Sequence, residues 1–69
     1  SLSLKIFNSS SVKVEIINLQ GKKIQTIVNS KNLEASIYSY EIDNLRSGLY
    51  FLKTTINGVE NVEKFEVIR

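Results

Sequence analysis

Sixty-nine residues make one domain at most, and a chain of that size buries only about 60% of the surface its unfolded form exposes, so the margin of stability is thin. With no Cys and no His, the chain has no disulfide staple, no preferred zinc ligands, and neither the commonest general base nor a thiol nucleophile. Nine Lys and Arg against seven Asp and Glu give a net charge of +2, and the basic residues are too scattered to form the clustered footprint of a nucleic-acid binder.

Nor does any apolar run approach the ~20 residues that span a bilayer, and no charged segment leading into an apolar one marks a leader peptide. The missing Met at position 1 suggests a piece of something longer.

The first element alternates strictly. In "SLSLKIF", Leu2, Leu4 and Ile6 fall on one face while Ser1, Ser3 and Lys5 fall on the other, the period of a half-buried strand. Turn residues Asn8 to Ser11 follow, and "VKVEII" repeats the pattern with Val12, Val14 and Ile16 inward and Lys13 and Glu15 outward. Together these two runs suggest a hairpin.

In "NLQGKK", Gly21 can take the positive φ of a tight connection. The β-rich run "KKIQTIV" comes next, and strict alternation puts Ile24, Thr26 and Val28 on one side. Ile27 is then left exposed unless a bulge or a second surface accommodates it. Asn29 to Ser36 is the longest polar stretch and reads as a loop.

"IYSYEI" sets Tyr38, Tyr40 and Ile42 on one face, and "DNLRSG" turns the chain again. The most apolar run, Leu49 to Ile56, has Tyr50, Leu52, Thr54 and Ile56 on one side and Leu49, Phe51, Lys53 and Thr55 on the other, which suits a mid-sheet strand. Asn57-Gly58 is the strongest hairpin signal, because a type I′ turn needs φ > 0 at both central positions. The returning run "VENVEKFEVI" puts Phe65 and Val67 on one face, with Lys64, Glu66 and Ile68 on the other.

Strands at spacings of roughly 8 to 12 residues with no helix between them point to an all-β fold. The expected architecture is an immunoglobulin-like antiparallel β-sandwich of about six to seven strands, because an apolar sheet face with no helix to cover it needs a second sheet. With no Pro to guard an edge, the charged residues Lys13, Glu15 and Lys53 are the available guards.

Carboxylates at Glu15, Glu34, Glu41, Asp43, Glu60, Glu63 and Glu66 could in principle pair as acid and base. A two-layer interior this small leaves little room for a cleft, so the reading is a non-enzyme with no catalytic, cofactor or metal residues. Asp43-Asn44 lacks the spacing of a calcium loop and reads as a turn. Asn8-Ser9-Ser10 matches the short glycosylation sequon but reads as turn polarity. Tyr38, Tyr40, Tyr50 and Phe51 could form a sugar-stacking platform, although packing is the commoner use of such residues. The alternative function is therefore an accessory module that binds carbohydrate or a surface protein.

The order "VKVEIINLQGKKI", a loop, "SYEIDNLRSGLYFLKT" and "EKFEVIR" resembles the type A C-terminal sorting domain of the type IX (Por) secretion system of Bacteroidetes, over nearly the whole chain. The residues that carry the resemblance are Asn18, Leu19, Gly21 and Lys22, then Leu45, Gly48, Tyr50, Leu52 and Lys53, then Lys64, Val67 and Arg69. Of these, Gly21, Leu45, Gly48, Tyr50, Lys64, Val67 and Arg69 are the candidate sorting residues. Two departures stand out. The upstream "P-N-P" segment is absent, which implies that residues 1–69 begin just after it and lack a first edge strand, and Arg69 stands where Lys is commoner, keeping the charge.

The resemblance implies a signal that directs an N-terminal cargo domain through the outer-membrane translocon, by way of the periplasm, to the cell surface or medium. A sortase-like protease then removes it, cutting near or before Ser1. No cofactor is implied. Bottom-up, Gly48 suits a positive-φ turn before a central strand, and Tyr50 can bury its ring while its hydroxyl reaches a rim acceptor. Lys64 and Arg69 sit on a terminal strand that another protein could capture by strand addition. An open sheet edge could also pair two copies as a homodimer.

Overall fold

The computed structural model describes residues 2–42 and 44–68. The expectations above that fall on Ser1, Asp43 and Arg69 lie outside the described residues. Strands β1 (Leu2–Ile6), β2 (Ser10–Ile17), β3 (Lys23–Leu33), β4 (Ser36–Tyr40), β5 (Gly48–Ile56) and β6 (Val59–Val67) account for the regular structure among them. They form two antiparallel sheets, one pairing β1 with β4 and one ordered β3-β2-β5-β6. This is the expected all-β sandwich.

The first two strands do not form the expected hairpin. β1 pairs with β4, from Leu2 opposite Tyr40 to Ile6 opposite Ser36, while β2 crosses to the larger sheet. Burial explains the switch. A hairpin would lay Leu2, Leu4 and Ile6 beside Val12 and Val14 on one uncovered face, whereas the crossover turns the two rows toward each other. Ile6, Val12, Val14 and Val28 form the buried centre, with Leu2, Leu4, Tyr38 and Tyr40 packed on it from the smaller sheet and Leu52 and Ile56 from β5. Within the crossover the Ser10 hydroxyl donates to the Asn8 carbonyl at 2.7 Å, a local bond that serves a sheet switch as well as a turn.

The expected loop over residues 29–36 is a second correction, because β3 continues to Leu33, which lies opposite Ser10. The pairing with β2 shifts register in three places. At one of them Val28 faces Val14 while Thr26 faces Glu15, so Ile27 is the extra residue of a bulge. That bulge accommodates Ile27, which packs half-buried against the centre. The polar residues 29–32 lie on an edge strand, where ladder bonds to β2 rather than side-chain burial hold the chain extended.

β5 lies between β2 and β6, as its apolar run requires. The turn from β5 to β6 has φ of 50° at Asn57 and 85° at Gly58, the type I′ signs. Asn57 also ties the hairpin to β2. Its N–H donates to the Ser11 carbonyl at 2.8 Å, and its Oδ1 accepts from the Ser11 N–H at 2.9 Å.

Asn57→Gly keeps the backbone shape and loses the side-chain bond, an expected cost of about 1 kcal/mol. Asn57→Ala adds about 1–2 kcal/mol for a left-handed residue with a Cβ. Urea denaturation should rank wild type above Asn57→Gly and that above Asn57→Ala; equal losses would mean that the backbone sign contributes nothing.

Candidate functional site

Antiparallel pairing brings four strand ends to one end of the larger sheet. Ile17 at the close of β2 lies opposite Lys23 at the start of β3 and opposite Phe51 of β5, while Gly48 at the start of β5 lies opposite Val67 at the close of β6. Three segments named from the sequence therefore meet there: the Asn18–Lys22 turn, the approach from Leu45 to Tyr50, and the end of β6.

The side chain of Asn18 organises the first segment. Its Oδ1 accepts from the N–H of Gln20 at 3.0 Å and of Lys22 at 2.9 Å. Its backbone N–H donates to the Lys22 carbonyl at 2.9 Å, and its carbonyl accepts from the Gly21 N–H at 3.0 Å. Gly21 has φ of 86°, and a Cβ there would meet nothing within 4 Å, so the backbone sign and not space calls for glycine. Lys22 and Leu19 are held out to solvent on this turn.

Asn18→Ala strips two backbone N–H groups of their acceptor. The expected loss is about 1–2 kcal/mol, since the turn is exposed and water can replace part of the bonding. Thermal unfolding followed by circular dichroism should show it; a midpoint equal to wild type would mean the turn is set by Gly21 alone.

In the second segment Leu45 is buried ahead of β5. Gly48 has φ of 156°, a region that side-chain-bearing residues rarely adopt. The Tyr50 hydroxyl donates to the Arg46 carbonyl at 2.8 Å, and its ring stacks on Phe65 with centroids 5.8 Å apart. So the hydroxyl does reach a rim acceptor while the ring is half-buried. Tyr38 repeats the device at β4, donating to the Glu34 carbonyl at 2.7 Å. Each tyrosine is the third residue of its strand and bonds the carbonyl four residues back, a corner that pins a loop to the strand it enters.

Of the candidate residues, Leu45, Gly48, Tyr50 and Val67 gather along the β5–β6 ribbon. Gly21 stands at the same end in the neighbouring turn. Lys64 lies opposite Phe51, on the outward face and away from Tyr50. Sequence reasoning did not single out Asn18 as the centre of its turn, nor the Tyr38 corner. The signal available for the latter was a tyrosine placed just inside a strand after a polar loop.

The outward face of the larger sheet is charged. Glu15 is nearly buried between Lys23 at 3.3 Å and Lys13 at 3.8 Å. Lys53 meets Glu60 at 2.7 Å, and that hydrogen bond holds its ammonium pKa above the ordinary lysine value. On the inward side Tyr38 and Tyr40 stack at 6.3 Å and pack on the core. Because two strands cover four, a shallow depression remains between β1 and the β5–β6 ribbon, lined by Leu2, Ile42, Leu52, Glu63 and Phe65. Among the described residues no carboxylate cluster is arranged to hold a metal ion, and no helix is long and apolar enough to cross a membrane.

Fold and site together define an all-β sandwich module, without a helix among the described residues, in which three motif segments build one end of the larger sheet. Residues 1–68 match the family described as the secretion system C-terminal sorting domain, and the chain belongs to that family. The family is one of sorting signals for type IX secretion and not one of enzymes. Membership implies a cargo protein, the secretion system as partner, and export to the cell surface or medium. No curated protein and no solved structure matches the chain.

Proposed function

We propose that this domain is a type A sorting signal of a Bacteroidetes type IX system, carried behind a cargo domain that crosses the periplasm before the outer-membrane translocon accepts it. A sortase-like protease then separates the domain from the cargo, cutting near or before Ser1. The sorting residues are Gly21, Leu45, Gly48, Tyr50, Lys64, Val67 and Arg69. Gly21, Leu45, Gly48, Tyr50 and Val67 shape the end of the larger sheet, and Lys64 and Arg69 supply the charge that is read. What supports this reading is the convergence of the three segments on one end, with Lys22 and Lys64 exposed and the residues between them serving conformation.

A fusion of residues 1–69 to a periplasmic reporter in a type IX-competent strain tests it. The reporter should appear outside the cell, shortened by the mass of the domain. Arg69→Glu should reduce export with the circular dichroism unchanged. A reporter that stays periplasmic, together with glycan binding by the isolated domain, would replace this reading with the accessory-module one.

A further inference from the structure

Each sheet ends in strands with one unpaired side among the described residues, and those edges are not equivalent. β3 is broken by three register shifts, which blunt an edge against pairing. β1 and β4 are only five residues each. β6 is nine residues long and keeps one register with β5 throughout, from Gly48 opposite Val67 to Ile56 opposite Val59. It also carries two exposed valines, Val59 at 72% and Val62 at 55%. A long, regular edge with exposed apolar residues is a template for a further strand.

From its residue order we infer that this edge takes the β6 strand of a second copy, antiparallel and centred on Val62, to make a continuous sheet across a two-fold axis. Such an interface is isologous, so the strand must complement itself. In this register Val62 meets Val62 of the second copy, Glu60 meets Lys64, Val59 meets Phe65, and Asn61 meets Glu63, each pair occurring twice except the one on the axis. The two Glu60–Lys64 pairs are opposite in charge, and no like charges face each other. Centring on Glu63 instead sets Glu60 against Glu66, and centring on Lys64 sets two ammonium groups face to face, both destabilising when directly opposite.

Backbone geometry agrees. Val59 closes a two-residue hairpin loop, so its N–H and C=O point toward β5, and alternation turns those of Glu60, Val62 and Lys64 toward the open edge. These are the residues that would exchange bonds across the axis. On the outward face Glu60 would then lie between Lys53, already 2.7 Å away, and Lys64 of the second copy. This self-association goes beyond the sorting role and is read without any export assay, so either can fail alone.

Sedimentation equilibrium of the purified domain is the test, with circular dichroism reporting the fold of each variant. Wild type should form a dimer that dissociates on dilution. Lys64→Glu, at an exposed site, should raise the dimer Kd by about tenfold or more, because two attractive pairs become repulsive. Glu60→Lys should do the same. An equimolar mixture of the two variants should recover a dimer, since each chain then meets its opposite charges. A wild-type chain that stays monomeric up to about 1 mM, a Lys64→Glu chain that dimerises as wild type does, or a mixture that recovers nothing would each overturn the proposal.

Discussion

Ile16→Ala is expected to leave the domain largely unfolded at 25 °C. Ile16 has no exposed surface and sits in β2 with strands on both sides, opposite Gln25 and Leu52. Truncating a buried Ile to Ala typically costs about 2–5 kcal/mol, from lost burial plus the cavity left behind. A single core in a domain of this length rarely supplies more than about 3–5 kcal/mol, and with no Cys there is no disulfide to compensate. Ile24→Ala provides the contrast. Ile24 is 45% exposed on the irregular edge strand, and its truncation should change stability by no more than about 0.5 kcal/mol. Urea titration followed by tyrosine fluorescence separates the two. If both shift the midpoint equally, burial in the central strand is not what holds the sandwich together.

That asymmetry also explains which parts of the fold were legible. β1, β2 and β4 each turn one face to the interior, so their inward residues recur every second position, while β5 is marked instead by the unbroken apolar run from Leu49 to Leu52. Asn57-Gly58 marked its hairpin because φ > 0 at both positions is a local requirement that few residue pairs meet. The second half of β3 left no such trace, since an edge strand is held by bonds to β2 and not by a buried row. The bulge that brings Ile27 inward breaks the alternation that would have announced it. The passage of the chain from β1 to the opposite sheet was invisible for another reason. Asn8 to Ser11 can serve a hairpin or a crossover equally well, and only pairings with β4 and β5, far along the chain, choose between them.

The candidate site divides along the same line. Gly21, Gly48 and Tyr50 answer local needs, two for unusual backbone and one for a ring with a polar tip, and each could be argued from its neighbours. Their assembly at one end with Val67 depends on the order β3-β2-β5-β6, which no local pattern encodes. Asn18 belongs to the resembling motif, but its sequence position assigns it no turn role, because an asparagine before a turn has several uses. The bonds to Gln20 and Lys22 that distinguish this one form only once β2 and β3 are paired.

Deleting Lys64 to Arg69 should abolish export of a fused reporter and weaken the fold as well. The deletion removes Phe65 from the Tyr50 ring, a stacked contact worth about 0.5–1.5 kcal/mol beyond its burial, and it removes Val67 from Gly48. The side of β5 from Gly48 to Phe51 opens to water. A loss of about 2 kcal/mol should lower the melting midpoint of so small a domain by roughly 8–16 °C. Lost export alone would therefore not say whether the machinery reads a terminal peptide or a folded end. Ile16→Ala decides, because it keeps every residue from Lys64 to Arg69 and removes the scaffold that gathers Asn18–Lys22, Leu45–Tyr50 and the close of β6. Both variants should strand the reporter in the periplasm. Export of the Ile16→Ala fusion at the wild-type level would show that the terminal residues act as a linear tag, and that the convergence of three segments on one sheet end serves folding only.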